Sequence, residues 1–330
     1  MPLVCWTIGV TNGKPGIFLA FVKRFCVLIY ASEDSALHRT PAGHAERVER
    51  LAAVERGLAG LKAERRVSPF GAVEDVLRCH PASYHAAIKA ASPQVGLVQL
   101  EPDTFMSPGS YDAAMRAVGG ACAGVDAVLA GEHDTAFVVA RPPGHHAERE
   151  TPMGFCIFGT VGIAAKHALD VHRLSRVAVL DFDVHHGNGT QALLWDEARV
   201  RFVSSQQMPL WPGTGARSER GAHGQITNLP LDPGSGGAAM WAAWSPVLAD
   251  LTAWRPQLVL VSAGFDAHVD DPLAGLAWVE RDYARLTAGI CDLAAECCGG
   301  RVVSVLEGGY DLAALEASVA AHLQVLERGH

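Results

Sequence analysis

Four titratable side chains fall within six residues in the segment DFDVHHGNGT, residues 181–190, directly after the apolar run RVAVL. A buried carboxylate is costly unless it is paired, hydrogen-bonded or bound to a metal. Side chains two apart in an extended chain share a face, so Asp181, Asp183 and His185 can point the same way. Another carboxylate, Asp266 in SAGFDAH, follows a second apolar run. An isolated Asp-x-His would be read as a simple hydrogen-bonded pair. With Asp266 alongside, we predict that Asp183, His185 and Asp266 bind a metal and leave a fourth position open for water, as in catalytic zinc sites.

Two further motifs could supply proton transfer beside such a metal. RPPGHHA presents His145 and His146 after two prolines and a glycine, which make a rigid turn. Zinc lowers the pKa of a bound water to about 7, so a nearby imidazole can take its proton and later deliver it to a leaving amine. Asp181 and Asn188 could fix the tautomers of these rings. Tyr310, after EGG, could donate to a carbonyl oxygen that gains negative charge.

These motifs follow short apolar runs that have the character of buried strands. The runs cover residues 26–30, 136–140, 176–180, 200–204, 258–263 and 302–306. Helical patterns lie between them, at residues 44–61, 110–130, 162–172 and 280–296. Strands that are apolar on both faces and separated by helices predict an α/β fold with three α/β/α layers around a central, mostly parallel sheet. Ligands bind outside the carboxyl ends of parallel strands, so the motifs can meet in one crevice.

Composition restricts the class of protein and its partners. The chain has 330 residues, 49% of them hydrophobic, and a formal net charge of -8 without a long basic block, which argues against direct nucleic acid binding. Eight cysteines without a C-x-x-C pair and without an export signal predict reduced thiols and a cytoplasmic protein. Lys23 and Arg24 interrupt the apolar stretch at residues 16–30, so we predict neither a signal peptide nor a membrane span. We expect residues 26–330 to form a single catalytic domain and residues 1–25 an N-terminal extension of unclear role.

The motifs RPPGHHA, GFC, DFDVHHGNG, PGTG, SAGFDAH and EGGY, in this order and spacing, resemble the zinc-dependent histone deacetylase family, and its class II-like bacterial branch in particular. The resemblance covers roughly residues 26–325 and implies the arginase/deacetylase fold. It implies that His146 is the principal general base and acid, that His145 is its electrostatic partner, and that Tyr310 polarises the substrate carbonyl. The implied catalytic residues are His145, His146, Asp181, Asn188 and Tyr310, and the implied Zn²⁺ ligands are Asp183, His185 and Asp266.

The resemblance also implies a narrow apolar tunnel for the substrate. The matching positions are Asp103, Gly154, Phe155, Trp211 and Leu273. Arg50 matches an arginine near the cavity that releases acetate. The family carries a structural K⁺, which would be held here by main-chain carbonyls around Asp181, Asp183 and His185 together with Ser204.

Three positions depart from the family pattern. Gln206 stands where relatives commonly have histidine, Gly159 stands where asparagine is usual, and Trp211 replaces a phenylalanine or tyrosine. None of these changes removes a proposed ligand or proton-transfer group, but a bulkier indole would narrow or reshape the channel.

The expected function is zinc-dependent hydrolysis of the Nε-acetyl, or a related acyl, amide of lysine in proteins or peptides, releasing acetate and a free amine. An acetylpolyamine amidohydrolase acting on small N-acetylated amines is the alternative. An arginase-like binuclear manganese enzyme would need further bridging carboxylates, and an inactive acyl-lysine binding module would not be expected to keep His146 and Tyr310. The sequence is compatible with a homo-oligomer and does not define the oligomeric state.

Overall fold

Eight parallel strands form the central sheet of the computed structural model, which describes residues 5–11, 14–20 and 27–328. The described part of the chain contains twelve strands in all, including those outside the central sheet. In chain order they are β1 (Cys5–Thr11), β2 (Lys14–Ala20), β3 (Val27–Ala31), β4 (Ala63–Val67), β5 (Val98–Glu101), β6 (Thr104–Met106), β7 (Thr135–Val138), β8 (Val177–Asp181), β9 (Val200–Gln207), β10 (Ile226–Leu231), β11 (Leu258–Ala263) and β12 (Val302–Leu306). The sheet has the order β10-β9-β8-β11-β12-β7-β3-β4, and every neighbouring pair is parallel. Strands β1 and β2, and strands β5 and β6, form two antiparallel ribbons.

Helices cover both faces of this sheet. They are α1 (Glu49–Gly57), α2 (Val73–Val76), α3 (Ala82–Ala91), α4 (Ser110–Leu129), α5 (Thr160–Asp170), α6 (Asn188–Leu193), α7 (Gly237–Trp254), α8 (Glu280–Cys298) and α9 (Leu312–Arg328), with a 3₁₀ turn at Glu33–Ala36. Val27 and Ile29 belong to a core shared with α1, α7, α8 and α9, whereas Leu28 and Tyr30 belong to a core shared with α4 and α5. Alternate strand residues therefore face opposite helical layers, which confirms the predicted three-layer α/β fold.

Two strands of the sheet are missing from the sequence prediction, and both lie at its edges. Strand β4, AERRV, carries three charged residues and is only partly buried. Strand β10, ITNLPL, contains Pro230, which is tolerated at an edge because an edge strand need not donate every ladder hydrogen bond. The six predicted strands are all present in the sheet, and the largest difference is the extension of β9 to Gln207. Within the predicted N-terminal extension, residues 1–25, the described residues 5–11 and 14–20 form the ribbon of β1 and β2, whereas residues 1–4, 12–13 and 21–25 lie outside the described residues, as does the first residue of the predicted strand 26–30.

Predictions about membranes and cysteines can be compared with the described part of the chain. None of its helices is long and apolar enough to cross a membrane. The cysteines whose side chains the structure describes are free thiols, at positions 79, 122, 156, 291, 297 and 298.

Candidate active site

Strands β8 and β11 are neighbours in the sheet and bring the proposed metal ligands together. Asp183 and His185 follow the end of β8, and Asp266 follows the end of β11. All three side chains are buried, and one ligand atom from each lies within 4.8 Å of the others. His185 Nδ1 lies 3.2 Å from Asp183 Oδ1 and 3.1 Å from Asp266 Oδ2. The imidazole nitrogen and two carboxylates therefore converge on one small volume.

Backbone amides fix the two carboxylates. Gly308 N–H donates to Asp183 Oδ2 at 2.9 Å, and Val184 N–H donates to Asp266 Oδ1 at 2.9 Å. The chain passes so close that a Cβ on Gly264 would lie 2.0 Å from Asp183 Oδ2, and one on Gly308 would lie 2.2 Å from Asp266 Oδ2. Glycine is required at both positions because any side chain would displace a proposed ligand.

The electrostatics of this cluster suit a cation. Burial raises the pKa of Asp266, and the nearby charge of Asp183 raises it further. Burial lowers the pKa of His185, but hydrogen bonds to Asp183 and Asp266 outweigh that effect and raise the pKa to about 10. The cluster thus concentrates negative charge that favours a positive partner. One imidazole nitrogen and two carboxylate oxygens also match the donors that zinc accepts in proteins.

The adjacent histidines of the GHH turn have different partners. His145 Nδ1 lies 3.0 Å from Asp181 Oδ2, and both groups are buried. His146 Nδ1 lies 2.7 Å from Asn188 Oδ1, and Asn188 Nδ2 donates to Glu148 Oε1 at 2.8 Å. The amide oxygen of Asn188 can only accept, so His146 Nδ1 carries the proton and its Nε2 keeps a free lone pair.

These partners favour different charge states for the two rings, positive for His145 and neutral for His146. Burial lowers the pKa of His145, but the neighbouring Asp183 and Asp181 raise it well above its usual value. Burial also lowers the pKa of His146, and the positive charges of His145 and His185 lower it further. At neutral pH, His146 is therefore the ring able to accept a proton, and His145 is a fixed positive charge.

Tyr310 follows β12 and lies above the carboxylates. Its backbone N–H donates to Asp271 Oδ2 at 2.7 Å, and its ring lies 5.1 Å from the guanidinium carbon of Arg50. Burial raises the pKa of its hydroxyl well above the usual value, and the charges of Asp266 and Asp183 raise it further. The hydroxyl therefore stays protonated and can act as a hydrogen-bond donor.

A cavity of about 220 Å³ opens above these groups. All five predicted substrate-binding residues line it, together with His146, His185 and Tyr310 from the chemistry and Leu210, which sequence analysis missed. Trp211 and Leu273 are partly exposed, whereas His146 and Tyr310 are buried. The cavity thus runs from an apolar mouth to a polar base.

Asp103 shapes the wall of the cavity. Its Oδ1 accepts hydrogen bonds from Gly154 N–H at 3.1 Å and from the Thr104 hydroxyl at 2.8 Å. Gly154 has φ +56°, and a Cβ there would lie 2.4 Å from the His146 ring and 2.6 Å from Trp211. The glycine therefore lets the wall approach the proposed base, and Asp103 holds it in place.

Sequence analysis missed buried charged residues that support the site. Glu307 Oε2 accepts hydrogen bonds from Gly144 N–H at 2.7 Å and His145 N–H at 3.2 Å, so it holds the GHH turn. Glu46 Oε1 binds Arg141 Nε at 2.6 Å and Arg50 Nη1 at 3.2 Å. Glu307 and Arg141 lie inside the motifs EGGY and RPPGHHA, and this position was the one sequence signal that they belong to the candidate site.

Arg50 and Ser204 lie beside the strand ends that carry the site. Arg50 donates to the carbonyl of Gly309 at 2.7 Å and to that of Glu307 at 2.5 Å, which fixes the EGG turn. Ser204 faces Asp181 across β8 and β9, and its hydroxyl accepts from Gly187 N–H at 3.4 Å.

Two of the three departures from the family pattern lie outside the cavity wall. Gln206 donates to the carbonyl of Gly215 at 2.7 Å, and Gly159 N–H donates to His80 at 3.0 Å. Neither residue lines the cavity, whereas Trp211 does. Of the three departures, Trp211 is therefore the one positioned to affect substrate choice.

The histone deacetylase domain model matches residues 44–326. The chain belongs to the histone deacetylase family. Among its histone deacetylase-like relatives, the histone deacetylase-like amidohydrolase of Pseudomonas aeruginosa is 42% identical over 278 residues, which cover 82% of this chain and 73% of that protein. An uncharacterized protein of Synechocystis sp. is 40% identical over 308 residues, 91% of this chain and 99% of that one.

A solved structure supports the same family and fold. The crystal structure of the HDA15 HD domain aligns with a TM-score of 0.85 and 30% identity, covering 91% of this chain and 90% of that one. The histone deacetylase resemblance and the arginase/deacetylase fold are therefore confirmed, and this protein is a hydrolase of a deacetylase family.

Proposed function

We propose that this histone deacetylase relative is a zinc-dependent lysine deacetylase that hydrolyses the Nε-acetyl amide of lysine in peptides or proteins. The observation that carries the proposal is the cavity whose mouth is apolar and whose base combines a buried His/Asp/Asp cluster, a neutral His146 and a protonated Tyr310. An acetylated lysine has lost its charge, so its methylene stem suits apolar walls while its amide reaches polar groups.

Asp183, His185 and Asp266 would hold the zinc ion, since their donor atoms converge and match zinc in type. Bound zinc would acidify a water molecule and polarise the amide carbonyl. Asp183 and Asp266 are each fixed by a backbone N–H, so the pocket needs little rearrangement to accept a cation.

His146 would take a proton from the attacking water at Nε2. Asn188 holds the Nδ1 proton of this ring, which keeps Nε2 directed toward the cavity as a base. After attack, the same proton would pass from His146 to the departing amine. His145, held by Asp181, would stabilise negative charge that develops nearby.

Tyr310 would donate its hydroxyl to the carbonyl oxygen as that atom becomes negative. Its high pKa keeps the proton on the phenol, and the anchored EGG turn fixes its position. The C–N bond of the amide then breaks, giving acetate and a free amine.

Phe155 and Trp211 would flank the lysine stem, with Gly154 and Leu273 completing the wall and Asp103 at the rim. Their shared position in one cavity supports these assignments.

We also propose a structural K⁺ at the main-chain carbonyls of residues 181, 183 and 185 with Ser204, which lies opposite Asp181. Residues 26–330 would form one catalytic domain. We also propose that the protein works in the cytoplasm, because free thiols at positions 79, 122, 156, 291, 297 and 298 suit a reducing compartment.

The decisive test compares kcat/KM of the zinc-loaded protein on an Nε-acetyl-lysine peptide and on N-acetylputrescine. We expect faster turnover of the peptide, loss of activity with a chelator, and recovery with Zn²⁺. Asp183→Ala is the matched inactive control, because it removes one proposed ligand. Preference for N-acetylputrescine would overturn the peptide substrate and support the small-amine alternative. Activity that survives both the chelator and Asp183→Ala would overturn the zinc mechanism.

A further inference from the structure

A second cluster of metal-ligating side chains lies between α4 and α5. Asp126 Oδ1 lies 2.7 Å from His167 Nε2 and 2.6 Å from His172 Nε2. Asp126 is near the end of α4, His167 is in the last turn of α5, and His172 follows that helix. These ends precede the starts of β7 and β8, so the cluster lies toward the amino ends of the strands. The candidate active site lies at the carboxyl ends.

We propose that Asp126, His167 and His172 bind a second divalent cation, of the class that zinc represents. The three ligand atoms lie within 4.8 Å of one another. Two imidazole nitrogens and a carboxylate oxygen are typical zinc donors, and further positions can be filled by water. Both Nε2 atoms face the same carboxylate oxygen, so the three donors converge although Asp126 comes from α4 and the two histidines come from the end of α5 and the segment after it.

The environment of His167 supports this assignment independently. His167 Nδ1 lies 2.9 Å from Asp75 Oδ1, on α2. A metal-binding histidine usually offers its other ring N–H to a carboxylate, which fixes the tautomer and orients the ring. Asp75 therefore commits Nδ1 to a hydrogen bond and leaves Nε2 for a metal. The side chain of His167 is only 9% exposed, so its orientation is set by packing and by this bond.

The proposed site is open on one side. The side chains of Asp126 and His172 are 54% and 29% exposed, which lets a hydrated cation reach them. A competing set, Asp75, Cys122 and His167, shares His167 and includes the carboxylate that contacts its Nδ1. That set offers one imidazole instead of two, its thiol is buried, and Arg78 already lies 3.2 Å from Asp75 Oδ1. We therefore favour the exposed set.

A cation here would tie the end of α5 to α4. It would act on stability and leave the chemistry unchanged, because the cluster lies toward the opposite edge of the sheet from the candidate active site. A ligand that binds only the folded state stabilises it by RT ln(1 + L/Kd), where L is the concentration of free ligand, so the melting temperature rises with that concentration.

The test counts metal ions per chain after equilibrium dialysis against Zn²⁺. Wild type is compared with His172→Ala, with the isosteric Asp126→Asn, and with His223→Ala, which removes an exposed histidine elsewhere. We expect wild type and His223→Ala to hold one more ion than the two site variants, with equal kcat/KM in all four. Asp183→Ala should lose the other ion and keep this one, which separates the two sites.

Thermal unfolding provides the second readout. Added Zn²⁺ should raise the melting temperature of Asp183→Ala, and this rise should be absent when Asp126→Asn is combined with it. Equal metal content in wild type, His172→Ala and Asp126→Asn would overturn the proposal. If both single site variants fail to fold, the change in the melting temperature of Asp183→Ala on adding Zn²⁺ decides the question. A rise supports the second site, and no rise overturns it.

Discussion

His145 and His146 are adjacent in sequence, yet their hydrogen-bond partners favour different protonation states. A carboxylate, Asp181, faces the first ring and stabilises its charged form. A neutral amide, Asn188, faces the second and stabilises one tautomer without adding charge. The positive first ring then lowers the pKa of the second. The difference between one carboxylate and one amide would thus leave His146 as the neutral ring that the proposed mechanism uses as a base.

Tyr310→Phe isolates the contribution of one hydroxyl. We expect kcat to fall about 10²- to 10³-fold, the range seen when a single oxyanion donor is removed, because the phenyl ring keeps its packing. Zinc content should match that of wild type. Tyr30→Phe, which removes a hydroxyl that donates to the Ala123 carbonyl on α4, is the matched control and should keep kcat. An unchanged kcat in Tyr310→Phe would remove this residue from the mechanism.

Sequence alone could predict which polar residues meet at the candidate active site, because they occur in compact motifs at strand ends. Their supports were harder to recognise. Glu307 acts on the GHH turn more than 150 residues earlier in the chain, and Glu46 joins Arg50 to Arg141. A buried ion pair of this kind depends on which segments meet in space, and no local pattern records it.

At the scale of elements, two turns bring the backbone against the proposed ligands. The turn after β11 contains Gly264, and the turn after β12 contains Gly308. Each glycine leaves room for a carboxylate that comes from a different strand. The two glycines would therefore contribute to the proposed metal site although they supply no ligand atom.

Gly308→Ala tests this contribution. The new Cβ would lie 2.2 Å from Asp266 Oδ2 and 2.6 Å from Asp183 Oδ2, so one of them must move. We expect zinc affinity and kcat/KM to fall by at least about tenfold, comparable with disturbing groups that orient ligands. Gly275→Ala is the control, since its nearest neighbour would be 3.4 Å away. Titration with Zn²⁺ measures the effect, and wild-type affinity in Gly308→Ala would contradict the argument.

The elements themselves differ in how well sequence predicts them. Central strands are recognisable because both faces are buried and the apolar run is continuous, as in β11 and β12. The edge strands β4 and β10 face water or contain proline, so the same criterion misses them.

For the whole molecule, buried neutral histidines link stability to pH. Burial lowers the pKa of His322 to about 3, of His80 to about 4, and of His186 to about 4. These values lie below the unfolded value of about 6.5. Their contribution to stability is therefore complete above about pH 6.5 and is lost as the pH falls toward the folded pKa.

His322→Gln measures one such contribution. The imidazole bridges the hydroxyls of Thr287 and Ser304, at 2.7 and 2.9 Å, in a buried setting. Between pH 7 and pH 5, wild type should lose about 2 kcal/mol more stability than the variant, from the pKa difference. Denaturant unfolding at both pH values gives the comparison, with His223→Gln as control. An equal loss in His322→Gln and wild type would show that this ring does not titrate on unfolding.

Trp211 has a consequence for how the molecule can be observed. Its indole is 42% exposed at the cavity mouth, with its ring centroid 4.7 Å from that of His146, while Trp244 and Trp278 are fully buried. The sequence has seven tryptophans, and Trp211 lines the cavity, so an occupant of the channel must cover this ring, whereas Trp244 and Trp278 are not among the lining residues. The protein therefore carries its own fluorescent reporter of channel occupancy, one that signals arrival of a ligand even when no bond is broken.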